Sequence, residues 1–168
     1  MTLRIAVLTV SDRSARGERE DLSGPALGQA VRGLGWEVVR AEILPDEREA
    51  LEAALAAWCD EDAADVILTT GGTGFSPRDV TPEATRAVSQ RDAPGLAEAM
   101  RQASLRITPH AMLSRAAAGI RGRTLIVNLP GSPKAALENL EVIRPVLGHA
   151  VQLLRESPDS EAGHQPAA

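Results

Sequence analysis

The sequence is poor in the residues on which several common chemistries depend. Its 168 residues hold one cysteine, three histidines, one phenylalanine, two tryptophans and no tyrosine. The single thiol, Cys59, cannot form an internal disulfide, and His110, His149 and His164 stand apart with no paired spacing, so neither a disulfide framework nor a zinc signature is present. Cys59 follows Trp58 at the end of an apolar helical pattern, where a packed core thiol is expected rather than a nucleophile. Aromatics make up 2% of the chain, and 18 Lys and Arg against 23 Asp and Glu leave a net charge of −5. Both the stacking surfaces of single-strand binders and the basic face of duplex binders are missing, so nucleic acid is not an expected partner. No apolar run reaches the ~18–20 residues of a membrane span, and residues 1–11 show no basic leader or cleavage site, which predicts a soluble, cytoplasmic protein. Lysine occurs once, at Lys134; every other Lys or Arg position is arginine.

What is present is a regular alternation of strand and helix patterns. Residues 3–10 form a continuous β-rich apolar run, as in a strand buried on both faces, ended by Ser11 and Asp12. Leu22, Ala26, Leu27, Ala30, Val31 and Leu34 then recur at helical spacing up to Gly35. Residues 36–44 read as a second strand and Pro45-Asp46 as its turn. Leu51, Leu55 and Trp58 belong to the buried stripe of the next helix. Residues 65–70 are a third strand running into Gly71-Gly72-Thr73-Gly74. Thr81 is predicted to cap a helix with Pro82 at its first position, giving helices over about 82–90 and 94–107. Residues 116–120 and 124–129, joined by Arg121-Gly122-Arg123, suggest a short antiparallel pair. Ser132 and Pro133 open a last helix reaching about Arg155, which Pro145 should kink or interrupt. The expected architecture is α/β, a three-layer α/β/α sandwich with a mostly parallel sheet and that short antiparallel pair. Residues 1–156 read as a single domain and 157–168 as a disordered tail.

In an open α/β sheet, ligands bind outside the carboxyl ends of the strands. Four strand ends here carry polar or glycine-rich turns: Ser11-Asp12, Pro45-Asp46, residues 71–74 with Ser76-Pro77-Arg78-Asp79, and Pro130-Gly131-Ser132-Pro133-Lys134. Glycines at 71, 72 and 74 permit positive φ and let backbone N–H groups approach an anion, although a glycine turn after a parallel strand is as often only a tight turn. Neither a P-loop nor a dinucleotide fingerprint is present, and no Gly-x-Ser-x-Gly elbow supports a hydrolase serine. Asp46 and Asp79 each lie in a turn after a strand; taken alone, Asp46 reads better as the cap of the next helix and Asp79 as a cap or brace of its turn, but side by side at a phosphate cradle they would suit magnesium. Arg78 could grip a phosphate as a planar fork and Lys134 as a point charge. Ser11, Thr73, Ser76, Thr81 and Ser132 can donate to phosphate or merely cap local backbone, and the sequence does not divide those roles.

Residues 69–74 (TTGGTG), 76–85 (SPRDVTPEAT) and 128–135 (NLPGSPKA) resemble the molybdenum cofactor biosynthesis family that includes the Mog proteins and the G domains of gephyrin and its plant counterpart. Val10-Ser11-Asp12-Arg13 with Gly17, and residues 43–47 (ILPDE), match the first two strand ends of the same family. The resemblance spans about residues 3–155. It implies a homotrimeric molybdopterin adenylyltransferase that uses ATP and Mg²⁺ to form adenylyl-molybdopterin and pyrophosphate, and then hands its product to a molybdate-insertion protein. By resemblance, the two essential acidic positions fall on Asp46 and Asp79, which would hold Mg²⁺. Nucleotide and metal handling falls on Gly71, Gly72, Thr73, Gly74, Ser76, Pro77, Arg78 and Thr81. The pterin and phosphate pocket is bordered by Ser11, Asp12, Pro130, Gly131, Ser132 and Lys134. The alternative is a molybdopterin-binding protein of the MoaB-type branch that does not turn over. The Arg78 to Pro82 run favours the active branch.

Overall fold

The computed structural model describes residues 1–157; the tail expected beyond Ser157, with His164, lies outside the described residues. In chain order the elements are β1 (Arg4–Val10), α1 (Asp12–Ala15), α2 (Ser23–Gly33), β2 (Glu37–Leu44), α3 (Arg48–Asp60) and β3 (Val66–Thr70). There follow α4 (Thr81–Val88), β4 (Arg91–Asp92), α5 (Pro94–Leu105), a 3-10 turn (Pro109–Leu113), β5 (Ala118–Arg121), β6 (Thr124–Leu129) and α6 (Pro133–Leu154). One six-stranded sheet runs β2-β1-β3-β6-β5-β4. The first four strands are parallel, and β5 runs antiparallel to both β6 and β4.

The apolar run of β1 is divided between two cores, because successive side chains of a strand point to opposite faces. Ile5 and Val7 join Val66, Leu68, Leu125, Val127 and Leu129 under α2, α5 and α6. Ala6, Leu8 and Val10 join Ile67 and Ile126 under Leu51, Leu55 and Trp58 of α3 and Ala84 and Val88 of α4. The sheet is thus covered on both faces, which makes the three-layer sandwich and the short antiparallel β5–β6 pair expected from the sequence. Strand β2 is an edge, and its alternating charges Glu37, Arg40 and Glu42 protect it from pairing with another chain. The Arg40 guanidinium also lies 4.7 Å above the Trp58 ring. Cys59 is buried, as expected of a core thiol, and burial pushes its pKa up to about 11.

Three local expectations are corrected. Thr81 does not cap α4 with its side chain; its fully buried hydroxyl donates to the Gly71 carbonyl at 3.0 Å, and Val80 occupies the cap position. Of the kink or interruption expected at Pro145, the interruption does not occur, and α6 continues through it over 22 residues. Pro145 and Glu141, whose carbonyl loses its partner, both lie on the exposed face, where water replaces that bond. Two elements too short to show a period, α1 and β4, were not expected at all.

Candidate functional site

Because β2, β1, β3 and β6 are parallel neighbours, the turns after them lie side by side. A cleft of about 420 Å³ opens there, lined by Ser11, Asp46, Gly71, Gly72, Asp79, Gly131 and Ser132 among others. All four strand-end turns singled out in the sequence therefore contribute to one concavity. The floor is tightly built. Thr70 Oγ1 donates to the Pro130 carbonyl at 2.7 Å, and Gly71 N to the Leu129 carbonyl at 3.2 Å. Gly71 has φ +102°, and a Cβ there would run into the Val10 carbonyl, so only glycine lets β1 and β3 end this close together. Gly72, at φ +65°, faces the Asp46 carboxylate and the Thr81 hydroxyl in the same way.

The acidic side chains are held by backbone donors. Asp46 Oδ2 accepts from Asp12 N at 2.9 Å while Asp12 Oδ1 accepts from Asp46 N at 3.0 Å, a reciprocal pair that joins the ends of β1 and β2. Asp46 therefore does not cap α3, whose cap position is Glu47. Asp79 Oδ2 accepts from Ser76 N at 3.0 Å. Asp46 Oδ1 and Asp79 Oδ1 have no hydrogen-bond donor among the described residues. Burial raises the Asp46 pKa above its ordinary value, and the nearby charges of Asp12 and Asp79 add to this against the Asp12 amide. Asp12 is lowered, chiefly by the Arg78 fork, whose Nε and Nη2 reach its carboxylate at 2.9 and 2.8 Å. In the same cleft, the amides of Gly72, Gly131 and Ser132 donate to no acceptor among the described residues, which leaves them available to an anion. No three His, Cys, Asp or Glu among the described residues are grouped to hold a metal ion alone. Asp46 and Asp79 fit a hard divalent cation that draws its remaining ligands from water and phosphate oxygens.

Not every expected residue reaches the cleft. Lys134 is largely exposed and lies 3.7 Å from Glu138. Gly131, the cap residue Ser132 and Pro133 line the cleft, but α6 begins at Pro133, and the ~100° helical step to residue 134 carries its side chain away from it. Arg78 is engaged by Asp12, and Ser76 and Pro77 are exposed on the loop beyond. Thr73, Gly74 and Pro130 line a neighbouring, more apolar pocket of about 280 Å³ with Met100 and Ala116. Sequence reasoning missed the opposite wall, formed by Arg19, Glu20, Asp21 and Ser23. Asp21 anchors it, accepting from Thr9 Oγ1 at 2.7 Å and from Gly24 N at 3.0 Å. The signal was an Asp three residues before the Gly24 amide at the start of α2, an N-capping spacing that the apolar period alone does not reveal.

A family model described as "Probable molybdopterin binding domain" matches residues 6–149. The chain belongs to that family. It is 46% identical over 155 residues to the molybdopterin adenylyltransferase of Helicobacter pylori strain J99, covering 91% of this chain and 88% of the relative. It is 43% identical to the molybdopterin adenylyltransferase of Escherichia coli K12, covering 89% and 78%. A crystal structure titled as the molybdopterin biosynthesis enzyme MoaB from Thermus thermophilus superposes with a TM-score of 0.87 at 52% identity, over 94% of this chain and 99% of that one. The family's fold and the one described above are the same. The stretches of sequence that carry the resemblance are those that meet at the cleft.

Proposed function

We propose that the protein adenylylates molybdopterin, with ATP as the donor and Mg²⁺ as the metal. The observation that carries this reading is the cleft itself, which Gly72, Gly131 and Ser132, whose amides have no acceptor among the described residues, line together with Asp46 and Asp79, each with one carboxylate oxygen that has no donor among them. The identity of the chain to two molybdopterin adenylyltransferases supports it. In the reaction, a terminal phosphate oxygen of molybdopterin bonds to the α-phosphorus of ATP. The bond from that phosphorus to the bridging oxygen breaks, and its electron pair leaves with pyrophosphate. The nucleophile is already anionic at neutral pH, so no base need remove a proton, and no histidine among the described residues lines the cleft. The protein's task is to hold two polyanions in line, with the glycine-turn and α6 amides receiving phosphate oxygens. Asp46 and Asp79 would hold Mg²⁺, which when bound neutralises charge on the reacting phosphates. We further propose a cytoplasmic homotrimer that passes its product to a molybdate-insertion protein; no helix among the described residues is long and apolar enough to cross a membrane.

The family model, described only as a molybdopterin binding domain, leaves as a second reading a molybdopterin-binding protein of the MoaB-type branch without turnover. One experiment separates the two. Purified protein with molybdopterin, ATP and Mg²⁺ should release pyrophosphate and form an adenylyl adduct, detected by mass spectrometry, in equal amounts, and EDTA should abolish both. Pterin binding with neither product would overturn the enzymatic reading. Sedimentation of the purified chain tests the trimer.

A further inference from the structure

Arg115 has no part in the readings above, yet it grips the loop that carries Asp79. It lies between the 3-10 turn and β5, behind the cleft. Its backbone amide donates to the Thr73 carbonyl at 2.8 Å. Its Nε donates to the Gly74 carbonyl at 2.7 Å and its Nη2 to the Asp79 carbonyl, also at 2.7 Å. The same guanidinium pairs with Glu83 in the first turn of α4. One planar, permanently charged group therefore fixes both ends of the 74–79 loop against a helix.

The loop between those ends is exposed; besides Arg115 it is tied to the body by the Arg78 fork on Asp12, and within it Arg78 N donates to Ser76 Oγ at 3.3 Å. The two loop-internal bonds that involve Asp79 are Asp79 N to the Ser76 carbonyl at 2.9 Å and Ser76 N to Asp79 Oδ2 at 3.0 Å. Both form only while Gly74 and Asp79 keep their separation, and the second sets the direction of the Asp79 carboxylate. We propose that Arg115 is a positioning residue for adenylyl transfer: through the Gly74 and Asp79 carbonyls it aims the Asp79 carboxylate into the cleft. This rests on the adenylyltransferase reading for its consequence, but not for its geometry. Lysine cannot replace it, because a single ammonium cannot reach acceptors spread around a planar fork.

The test compares Arg115→Met and Arg115→Lys with wild type in four measurements. Hydrogen exchange of the protein alone should show the Ser76 and Asp79 amides exchanging at least ~10-fold faster in Arg115→Met. Binding of Mn²⁺ with ATP, followed by the Mn²⁺ resonance signal, should weaken by about 10–100-fold, and kcat for pyrophosphate release should fall over the same range. Molybdopterin binding, read by tryptophan fluorescence, should stay within about threefold, since Gly131 and Ser132 are untouched. Arg115→Lys should restore thermal stability without restoring the exchange protection or metal–nucleotide binding. Wild-type exchange and metal–nucleotide binding in Arg115→Met, or recovery of both by Arg115→Lys, would overturn the proposal. So would loss of pterin binding in equal proportion, which would make Arg115 a general brace. A wild-type protein that forms no adduct defeats the adenylyltransferase reading instead, while exchange and Mn²⁺ binding still decide the role of Arg115.

Discussion

Asn128 offers the sharpest test of how the floor of the cleft is held together. It is fully buried in the parallel core strand β6, and its amide joins three other elements. Oδ1 accepts from Ala117 N at 3.1 Å, and Nδ2 donates to Thr69 Oγ1 at 3.0 Å and to Thr85 Oγ1 at 2.8 Å. Thr69 leads into the glycine-rich turn, and Thr85 belongs to the helix that follows the Asp79 loop. Asn128→Leu keeps a similar size but removes all three bonds. The Ala117 amide, held beside β6 by the bond from Asn128 N to the Ala117 carbonyl, then loses its acceptor at a cost of about 1–3 kcal/mol. The Thr69 hydroxyl is left in a similar state, whereas the Thr85 hydroxyl can turn to the carbonyl four residues earlier in its helix. After a partial offset from the added apolar contact, the net loss is about 3–5 kcal/mol, a large share of the ~5–15 kcal/mol of an ordinary domain. For a domain of this size that lowers the Tm by roughly 6–20 °C. Urea unfolding of both proteins measures it, with the slope checked for a two-state transition. Thr69→Val combined with Asn128→Leu should cost less than the sum of the two single changes. A loss below about 1 kcal/mol, or strict additivity, would refute the network as a support of the site.

Asp79→Asn should leave molybdopterin affinity nearly unchanged in a fluorescence titration and lower pyrophosphate release by about 100-fold; an active variant would remove Asp79 from the mechanism. Asp46 has a folded-state pKa above its ordinary 3.8, so protonation of this group favours the folded state. That contribution is full below 3.8 and lost as pH rises through the raised value. Asp46→Asn, which resembles the protonated carboxyl, should therefore raise the Tm of the ligand-free protein at neutral pH. The gain should vanish below pH 3.8; a lower Tm at neutral pH would contradict the burial and charge crowding described above. With its pKa near 11, Cys59 should react with a thiol reagent at pH 8 at least ~100-fold more slowly in the native protein than in urea. Fast native labelling would show that the α3 side of the core opens.

Element order and layering could be read from the chain because β1, β3 and β6 are apolar on both faces and the helices between them keep a clean period. The meeting of the four turns at one candidate cleft was legible for a related reason: parallel strands place their turns on one edge. Side-chain direction is what the sequence does not display. A lone lysine directly after Gly131-Ser132-Pro133 looks like a phosphate ligand, but one further step around α6 turns it toward Glu138 and solvent. Thr81 reads as a helix cap until the Gly71 carbonyl is seen within reach. Arg115 is one of many arginines in the sequence. Its importance comes from acceptors 32 to 41 residues earlier in the chain, which no local pattern reports.

An acidic cleft is an unexpected place for two polyanions, and this bears on how the proposed reaction would be ordered. Among the described residues Glu20, Asp21, Asp46 and Asp79 line it against one arginine, Arg19, while Arg78 is already paired with Asp12. Long-range attraction therefore cannot draw ATP or the pterin phosphate in. Short-range donors must do so, namely the Gly72, Gly131 and Ser132 amides, together with a cation that the carboxylates themselves favour. A free nucleotide would meet the unscreened charges of Asp46 and Asp79, whereas a nucleotide that brings a divalent cation turns the same two groups into ligands. In the proposed reaction the carboxylates would thus act against the metal-free nucleotide as well as for the metal-bound one, so that binding itself would select the form of ATP that can react.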